Sequence, residues 1–386
     1  MARRRPARVK NRTRKKKSSM LFKSDFFDYS LLFIVLFLVA FGLVMIYSTS
    51  SYTAELKTGN PAYYLKRQGI FAVLGIIAML VVSRIDYHWW KKWSKLMMMG
   101  IIVLLVVVIL FGAKSHGATR WIELGPIRFQ PSEVAKIVII LYTAHLSTIW
   151  AARIGDFKVL VVKVMFWPMG AVALIAAENL STGIICAAII VMIVFITSPK
   201  VKQFLGIGGL VAIMMVIFLM IASYRMTRIK VWFHPEKYAS TDGFQTLQAL
   251  YAIGSGGIFG KGLGQSIQKL DFLPESHNDY IFSIICEELG LFGAACVIAV
   301  FVLLIWRCMM IAMSAPDLYG ALIVVGVITH IAVQALLNVA VVTNSMPPTG
   351  VPLPFISYGG TALFFLLAEV GLVLSVARQI HIAKEY

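Results

Sequence analysis

Between residues 269 and 280 the chain reads KLDFLPESHNDY, and four side chains in this run can take up or hold a proton or a cation: Asp271, Glu275, His277 and Asp279. They abut a long apolar run, IFSIICEELGLFGAACVIAVFVLLIW, at 281–306. Ionisable groups at the boundary of such a run are expensive unless they are used. Pro274 followed by Glu275 predicts a helix start, since proline suits the first helical position and an acid there meets the positive end of the dipole. On that reading Glu275 and Asp279, four apart, share one helix face. Two carboxylates within reach of each other are the groups that general-base work or a divalent cation calls for. A solvated capping cluster accounts for the same residues as well.

The glycine-rich run GSGGIFGKGLG at 254–264 invites a phosphate-loop reading and fails it. The pattern needs glycine where Ser255 stands and Ser or Thr where Gly262 stands, and no strand precedes it. A loop whose backbone comes close to a ligand or the membrane surface and a purely structural turn both stay open. The run HGATRWIELGPIRFQPSEVAKI at 116–137 offers Arg120, Arg128 and Lys136 among apolar and aromatic residues. A lysine just inside a span either snorkels to the interface or lines a polar cavity. Paired with Arg120 it could hold a phosphate or pyrophosphate headgroup. Arg225, Arg228 and Lys230 add a basic stretch that can equally lie on lipid headgroups. The run NSMPPTGVPLPFISYGG at 344–360 holds four prolines and three glycines. That density forbids regular helix and predicts a rigid re-entrant turn, buried in protein or lining a water-filled cavity. Glu287, Glu288, Glu369, His145 and His330 fall inside spans, as cavity groups or as paired structural ones.

What positions these groups is a membrane. Hydrophobic residues make up 59% of the 386, above the share of a soluble domain, so the chain reads as an all-α, polytopic integral membrane protein. Apolar runs near or beyond the ~20 residues that cross a bilayer lie at 30–46, 69–82, 96–111, 134–149, 159–177, 182–197, 204–222, 281–306, 320–342 and 361–376. They predict ten transmembrane helices, with a large extracytoplasmic loop, 223–278, between the seventh and the eighth. The net charge of +18 is concentrated, because residues 1–20 hold ten of the 36 Lys and Arg. Residues 1–24 read as a disordered basic tail beside anionic membrane lipids, ahead of one membrane domain over 25–386. Nothing that reads bases follows the tail, so no nucleic-acid partner is expected, and no cleavage site follows it, so the first span should stay. With the tail in the cytoplasm, the short and mostly basic loops at 84–95, 150–158, 199–203 and 307–317 fall inside. Loops 112–133, 223–278 and 344–360 then fall outside, both termini are cytoplasmic, and any chemistry is extracytoplasmic. Cys186, Cys286, Cys296 and Cys308 lie in spans or at an inner end and show neither disulfide nor metal spacing.

The segments GATRWIELGPIRFQPSEVAK, ENLSTG, QALYAIGSGGIFGKGLG, KLDFLPESHNDYIFSIICEELG and PPTGVPLPFISYGG, in that order, resemble the shape, elongation, division and sporulation (SEDS) family of bacterial cell-wall polymerases. The likeness covers nearly the whole chain after residue 25, and the basic tail with the phrases NVAVVTNSMPPTG and SHNDYIF looks more like the FtsW and SpoVE branches than RodA. The resemblance implies a multi-pass protein of the bacterial cytoplasmic membrane, at the division septum. There it would polymerise lipid II, an undecaprenyl-pyrophosphate-linked disaccharide pentapeptide, into glycan strands. It places the essential aspartate at Asp279, in the HNDYIF motif, and further functional charges at Arg120, Lys136 and Glu275. His277 and Ser357, within the matching motifs, join Arg120 and Lys136 as candidate substrate-binding residues. A class B penicillin-binding protein transpeptidase and other division proteins are the implied partners. Forming a β-1,4 bond from an α-linked pyrophosphate donor requires inversion, hence a single general base, for which Asp279 is the candidate with Glu275 tuning it. Pyrophosphate leaves readily, so no carboxylic acid partner is needed, unlike in a glycosidase. Cations must neutralise the departing charge: Arg120 and Lys136 are candidates, and so is a divalent ion, Mg or Mn, held by Asp279, Glu275 and phosphate oxygens.

Two other classes suit ten helices with buried charges: a transporter that flips lipid II, and a non-catalytic scaffold for division proteins. Charge gathered at one face rather than at the midplane speaks against the transporter. The loop-cation asymmetry is directly testable. In intact cells a cysteine introduced as Lys237→Cys should react with an impermeant thiol reagent, and labelling only from the cytoplasmic side would overturn the topology and the outer site with it.

Overall fold

The computed structural model describes residues 27–115, 118–124, 127–209, 223–241 and 243–384. In chain order these form α1 (Tyr29–Thr58), α2 (Tyr63–Arg84) and α3 (Tyr87–Phe111). A small antiparallel sheet follows, with strands β1 (Ala113–Ser115), β2 (Ala118–Leu124) and β3 (Ile127–Phe129) in that order. Then come α4 (Pro131–Trp150), α5 (Phe157–Glu178) and α6 (Leu180–Thr197). Last are α7 (Ser223–Phe233), α8 (Phe244–Gly256), α9 (Ile281–Met313), α10 (Leu318–Val342) and α11 (Gly360–Lys384).

Among the described residues nine helices, α1–α6 and α9–α11, are long and apolar enough to cross a membrane. Of the tenth expected run, 204–222, residues 202–209 are helical, and 210–222 lie outside the described residues, as does the basic tail 1–24. Helices begin where the sequence supplies acceptors for their unpaired N–H groups: Asp28, Asp86, Asn179 and Asp317 each accept from a backbone N–H two or three residues on. Pro131 opens α4, with Glu133 in its first turn. Exposed side chains on the outer faces are apolar, as Phe33, Phe37, Ile70, Val103 and Leu110 show. In water such a surface would aggregate; in lipid it is the ordinary surface.

α10 lies at the centre. Most of it is buried, whereas α2 and α3 are largely exposed, and it packs against α4, α6, α9 and α11. Two sets of tertiary bonds define the ends of the bundle. At one end Asp28 pairs with Arg307 at 2.9 Å, and His88 bridges Asp86 and Asp317 at 2.8 and 2.6 Å. At the other, Arg228 Nη1 donates to the Pro348 carbonyl and Trp232 Nε1 to that of Asn344, both at 2.9 Å. The large loop and the proline-rich loop therefore meet.

The structure corrects the sequence reading in two places. No helix starts at Pro274: residues 271–280 form a succession of turns and α9 begins at Ile281. Asp271 (φ 70°) and Glu275 (φ 55°) are left-handed, which breaks the helical ladder, so Glu275 and Asp279 share no helix face. The cause is tertiary, since the carbonyl of His277 accepts the Tyr358 N–H at 2.9 Å and that of Asp279 is held by Asn338. The second correction is the three-stranded sheet inside what reads as a loop at 112–133.

At about 1.5 Å per residue the 33 residues of α9 exceed the ~30 Å of hydrocarbon, and the helix breaks at Gly290 (φ 68°). The glycine-rich turn fills that break. Lys261 and Gly262 donate their N–H groups to the carbonyls of Glu287 and Glu288 at 3.0 and 2.9 Å, while Leu291 and Phe292 donate to Gly257 and Ile258 at 2.9 and 3.0 Å. Lys261–Glu287 and Lys269–Glu288 ion pairs at 2.7 and 2.8 Å close the same junction. Of the two readings left open for GSGGIFGKGLG, the structural turn is the one observed. At Gly290 an added Cβ would lie 2.4 Å from the Gly260 nitrogen and the Ile258 oxygen. Gly290→Ala should therefore cost about 2–4 kcal/mol from the left-handed backbone and overpacking together. A thermal scan of detergent-purified protein checks this, and an unchanged midpoint would show that the break is not held in this way.

Candidate active site

His330, Gln334 and Asn338 recur at every fourth position of α10 and so form one stripe along it. All three are buried. Asn338 Nδ2 donates to the carbonyls of Asp279 and Val351 at 2.7 and 2.8 Å. Gln334 Nε2 donates to the Pro352 carbonyl at 3.0 Å, and Gln334 Oε1 faces Lys136 Nζ at 3.5 Å. One helix face thus holds the turn that carries Asp279, the proline-rich loop and the buried lysine.

α2 grips the same loop from its other side. Gln68 Nε2 donates to the Ser357 carbonyl at 3.3 Å and Gln68 Oε1 accepts the Gly359 N–H at 3.1 Å. Ser357 Oγ accepts the Leu353 N–H at 2.8 Å, which braces a turn containing the left-handed Phe355 (φ 64°). Val351, Leu353, Phe355, Ile356 and Ser357 are all buried, as a re-entrant segment requires. Tyr64, one turn before Gln68, sets its ring 4.5 Å from that of His277, tilted to it, and 5.1 Å from that of Tyr358, edge to face.

Within this frame Asp279 is half-buried. Its Oδ2 lies beside Gly350, where φ is 67° and an added Cβ would sit 3.1 Å from the oxygen. Glycine there supplies both the backbone shape and the room. Lys136 is 3% exposed and pairs with Glu133 at 2.9 Å, so it is buried and paired inside the protein and does not snorkel. Glu275 is exposed and its Oε2 accepts from Asn278 Nδ2. Arg120 belongs to β2, and its side chain lies outside the described residues, as do those of Arg128 and Arg225. The sheet is anchored near the site by Phe129, whose ring lies 5.9 Å from that of Phe365.

Among the described residues no three His, Cys, Asp or Glu side chains converge to form a metal cage. Asp279, half-buried, and Glu275, exposed, carry hard oxygen donors, the kind of which an ion such as Mg or Mn takes one or two from protein and the rest from phosphate and water. Residues not anticipated from sequence are Glu133, Gln334, Asn338, Gln68 and Gly350. A signal existed for Gln334 and Asn338: amides at four-residue spacing in an otherwise apolar run need partners inside the protein.

A family model described as "Cell cycle protein", the FtsW/RodA/SpoVE model, matches residues 29–382. The chain belongs to that family. With nine apolar helices of spanning length among the described residues, it is a multi-pass membrane protein. Stage V sporulation protein E of Bacillus subtilis is 38% identical over 354 residues, 91% of this chain and 97% of that one. A probable peptidoglycan glycosyltransferase FtsW of Trichlorobacter lovleyi is 38% identical over 365 residues, 92% of this chain and 94% of that one. The crystal structure of Thermus thermophilus RodA superposes with TM-score 0.67 at 25% identity, covering 92% of this chain and 97% of that one. A chain from a peptidoglycan synthase complex that coordinates polymerization and crosslinking superposes with TM-score 0.76 at 24% identity, covering 92% and 98%. At that identity the likeness is one of fold.

Burial pushes the His277 imidazole below its usual range, the charge of Lys57 adds to this, and Glu275 opposes it. A histidine kept neutral in the fold but free to protonate when unfolded stabilises the protein above its ordinary pKa of about 6.5 and loses that contribution as the pH falls towards the lower folded value. Between pH 7 and pH 5 the thermal midpoint of the native protein should fall further than that of His277→Phe, which keeps the ring contacts without the titration. Equal falls would show that His277 is not held neutral.

Proposed function

We propose that this chain is a peptidoglycan glycosyltransferase that polymerises lipid II at the outer face of the bacterial cytoplasmic membrane, in septal wall synthesis. The observation that carries the reading is a half-buried carboxylate, Asp279, and a fully buried ammonium, Lys136, held by one helix stripe at the loop-rich end of the bundle. One base and a separate cation are what an inverting transfer from a pyrophosphate donor needs. The relatives named as probable peptidoglycan glycosyltransferases agree with it.

Asp279 takes the proton of the acceptor sugar hydroxyl as its oxygen attacks the anomeric carbon of the donor. The bond from that carbon to the pyrophosphate oxygen breaks on the opposite face, and the electron pair leaves with the pyrophosphate. Lys136, with Arg120, offsets the departing charge. The His277 ring and Ser357 form the wall against which the substrate lies, and Glu275 tunes the site beside Asp279. A Mg or Mn ion held by Asp279 and Glu275 would supply further charge neutralisation at the phosphates. Crosslinking falls to a class B penicillin-binding protein partner among the division proteins, a reading supported by the fold shared with a chain of a peptidoglycan synthase complex.

Purified protein given lipid II tests the proposal. Glycan polymer is expected from the native chain, and chelating divalent ions should slow it. Asp279→Asn, which keeps the size and removes the base, should lower polymerisation at least ~10²-fold. Near-native polymerisation by Asp279→Asn would sink the catalytic assignment. Lipid II translocation without polymer would mark a transporter, and neither activity a scaffold.

A further inference from the structure

Among the described residues, one buried ionisable pair made by the central helix α10 is not used by the chemistry above. His330 and Glu369 are 2% and 1% exposed, with Nδ1 and Oε2 2.6 Å apart. His330 lies eight residues before Asn338 on α10, about 12 Å below it at 1.5 Å per residue, so the pair sits inside the span and out of reach of water. Ionisable groups at that depth are costly and call for a role.

Their protons can be counted. Lys136 Nζ only donates and the Pro352 carbonyl only accepts, so together they orient the Gln334 amide, Oε1 towards the lysine and Nε2 towards the loop. Gln334 Oε1 also faces His330 Nε2 at 2.9 Å, so that nitrogen carries a hydrogen. The other ring nitrogen meets a carboxylate oxygen, and a lone pair held against an anionic oxygen would repel it. A second proton therefore lies between Nδ1 and Oε2, and the pair is neutral as a whole whichever atom holds it. The other groups facing this network from the packed helices are Glu133 and Lys136 on α4 and the buried Cys186 on α6. Glu133 and Lys136 are already paired, which leaves Gln334 as the link between them and the histidine.

We infer that His330 and Glu369 are positioning residues for the transfer reaction: sharing one proton, they hold the Gln334 amide, and through it fix the Lys136 ammonium and the Pro352 loop against Asp279. The inference rests on the glycosyltransferase reading and adds to it a control point below the site. A pair that merely fills space would leave Gln334 indifferent to its loss, whereas here His330 Nε2 is one of two donors to the Gln334 oxygen.

The test is a set of variants in detergent, assayed for lipid II polymerisation and, without catalysis, for hydrogen exchange of the amides at 343–359. His330→Leu, which keeps the bulk and removes the donor, should lower kcat about tenfold, the scale of one lost buried hydrogen bond, and change KM less, because Lys136 acts on charge that develops as pyrophosphate departs. Glu369→Leu, which frees the ring to turn, should do the same in part. Glu369→Gln, whose amide can donate to Nδ1, should recover most of that loss. In a Gln334→Leu background the link is already cut, so adding His330→Leu should cost nothing further in kcat and speed loop exchange no more. Losses that multiply, or a native kcat for His330→Leu beside a lowered thermal midpoint, would overturn the inference. Should His330→Leu fail to fold, Glu369→Leu takes its place in the same cycle. If the native chain makes no glycan the functional reading falls, and the exchange cycle alone then decides the inference, additive or absent effects refuting it.

Discussion

A helix at the centre of a membrane bundle has no water to satisfy its polar side chains, so each one must be answered by protein. α10 places three in line, and the answers to them build the site: Asn338 takes the Asp279 turn and Val351, Gln334 takes Pro352 and faces Lys136, and His330 takes Glu369. Remove the stripe and the two functional loops lose their common support. The proline-rich loop cannot form a ladder of its own, since four of its residues lack the room or the N–H to continue a helix. It depends on amide side chains from α10 on one side and Gln68 of α2 on the other.

The same rule operates at the break in α9. Gly290 interrupts the helix, and the carbonyls and N–H groups it releases are taken by the glycine turn at 257–262. The charges nearby obey a matching one. Glu287 and Glu288 are fully buried but paired with Lys261 and Lys269. Losing one member of such a pair leaves an uncompensated buried charge, a loss far larger than any net gain from the pair itself. These glutamates hold the large loop onto the bundle, while the half-buried carboxylate of Asp279 stays at the boundary, where a substrate can reach it. The buried pairs at this junction are frame, and in the proposed reaction the base is the carboxylate at the boundary.

How much of this was legible varies by residue. The apolar runs located the nine spanning helices among the described residues, with ends that the structure extends, as for 69–82, which becomes Tyr63–Arg84. The motif around HNDY marked Asp279, and Lys136 was marked as a lysine with two fates. Glu275 was misread. Pro274 before an acid is a sound local signal for a helix start, but the carbonyls that follow are claimed by Tyr358 and Asn338, each tens of residues away in sequence, and no local pattern records that claim.

Membrane residence, the positions of the nine spans found among the described residues, the clustering of positive charge and the motifs that mark the family follow from the sequence alone. They depend on composition and on spacing along one segment at a time, and burial in lipid is decided by how many apolar residues stand in a row. Which polar groups meet depended on the tertiary structure. Ser48 with Glu288 and Lys136 with Gln334 are joined across 240 and 198 residues, and the left-handed turns at Glu275 and Gly350 lie beside carbonyls held from afar, that of His277 by Tyr358 and those of Asp279 and Val351 by Asn338. A hydrogen bond inside a membrane protein is worth making only when both ends arrive together, and their arrival is a property of the packed bundle.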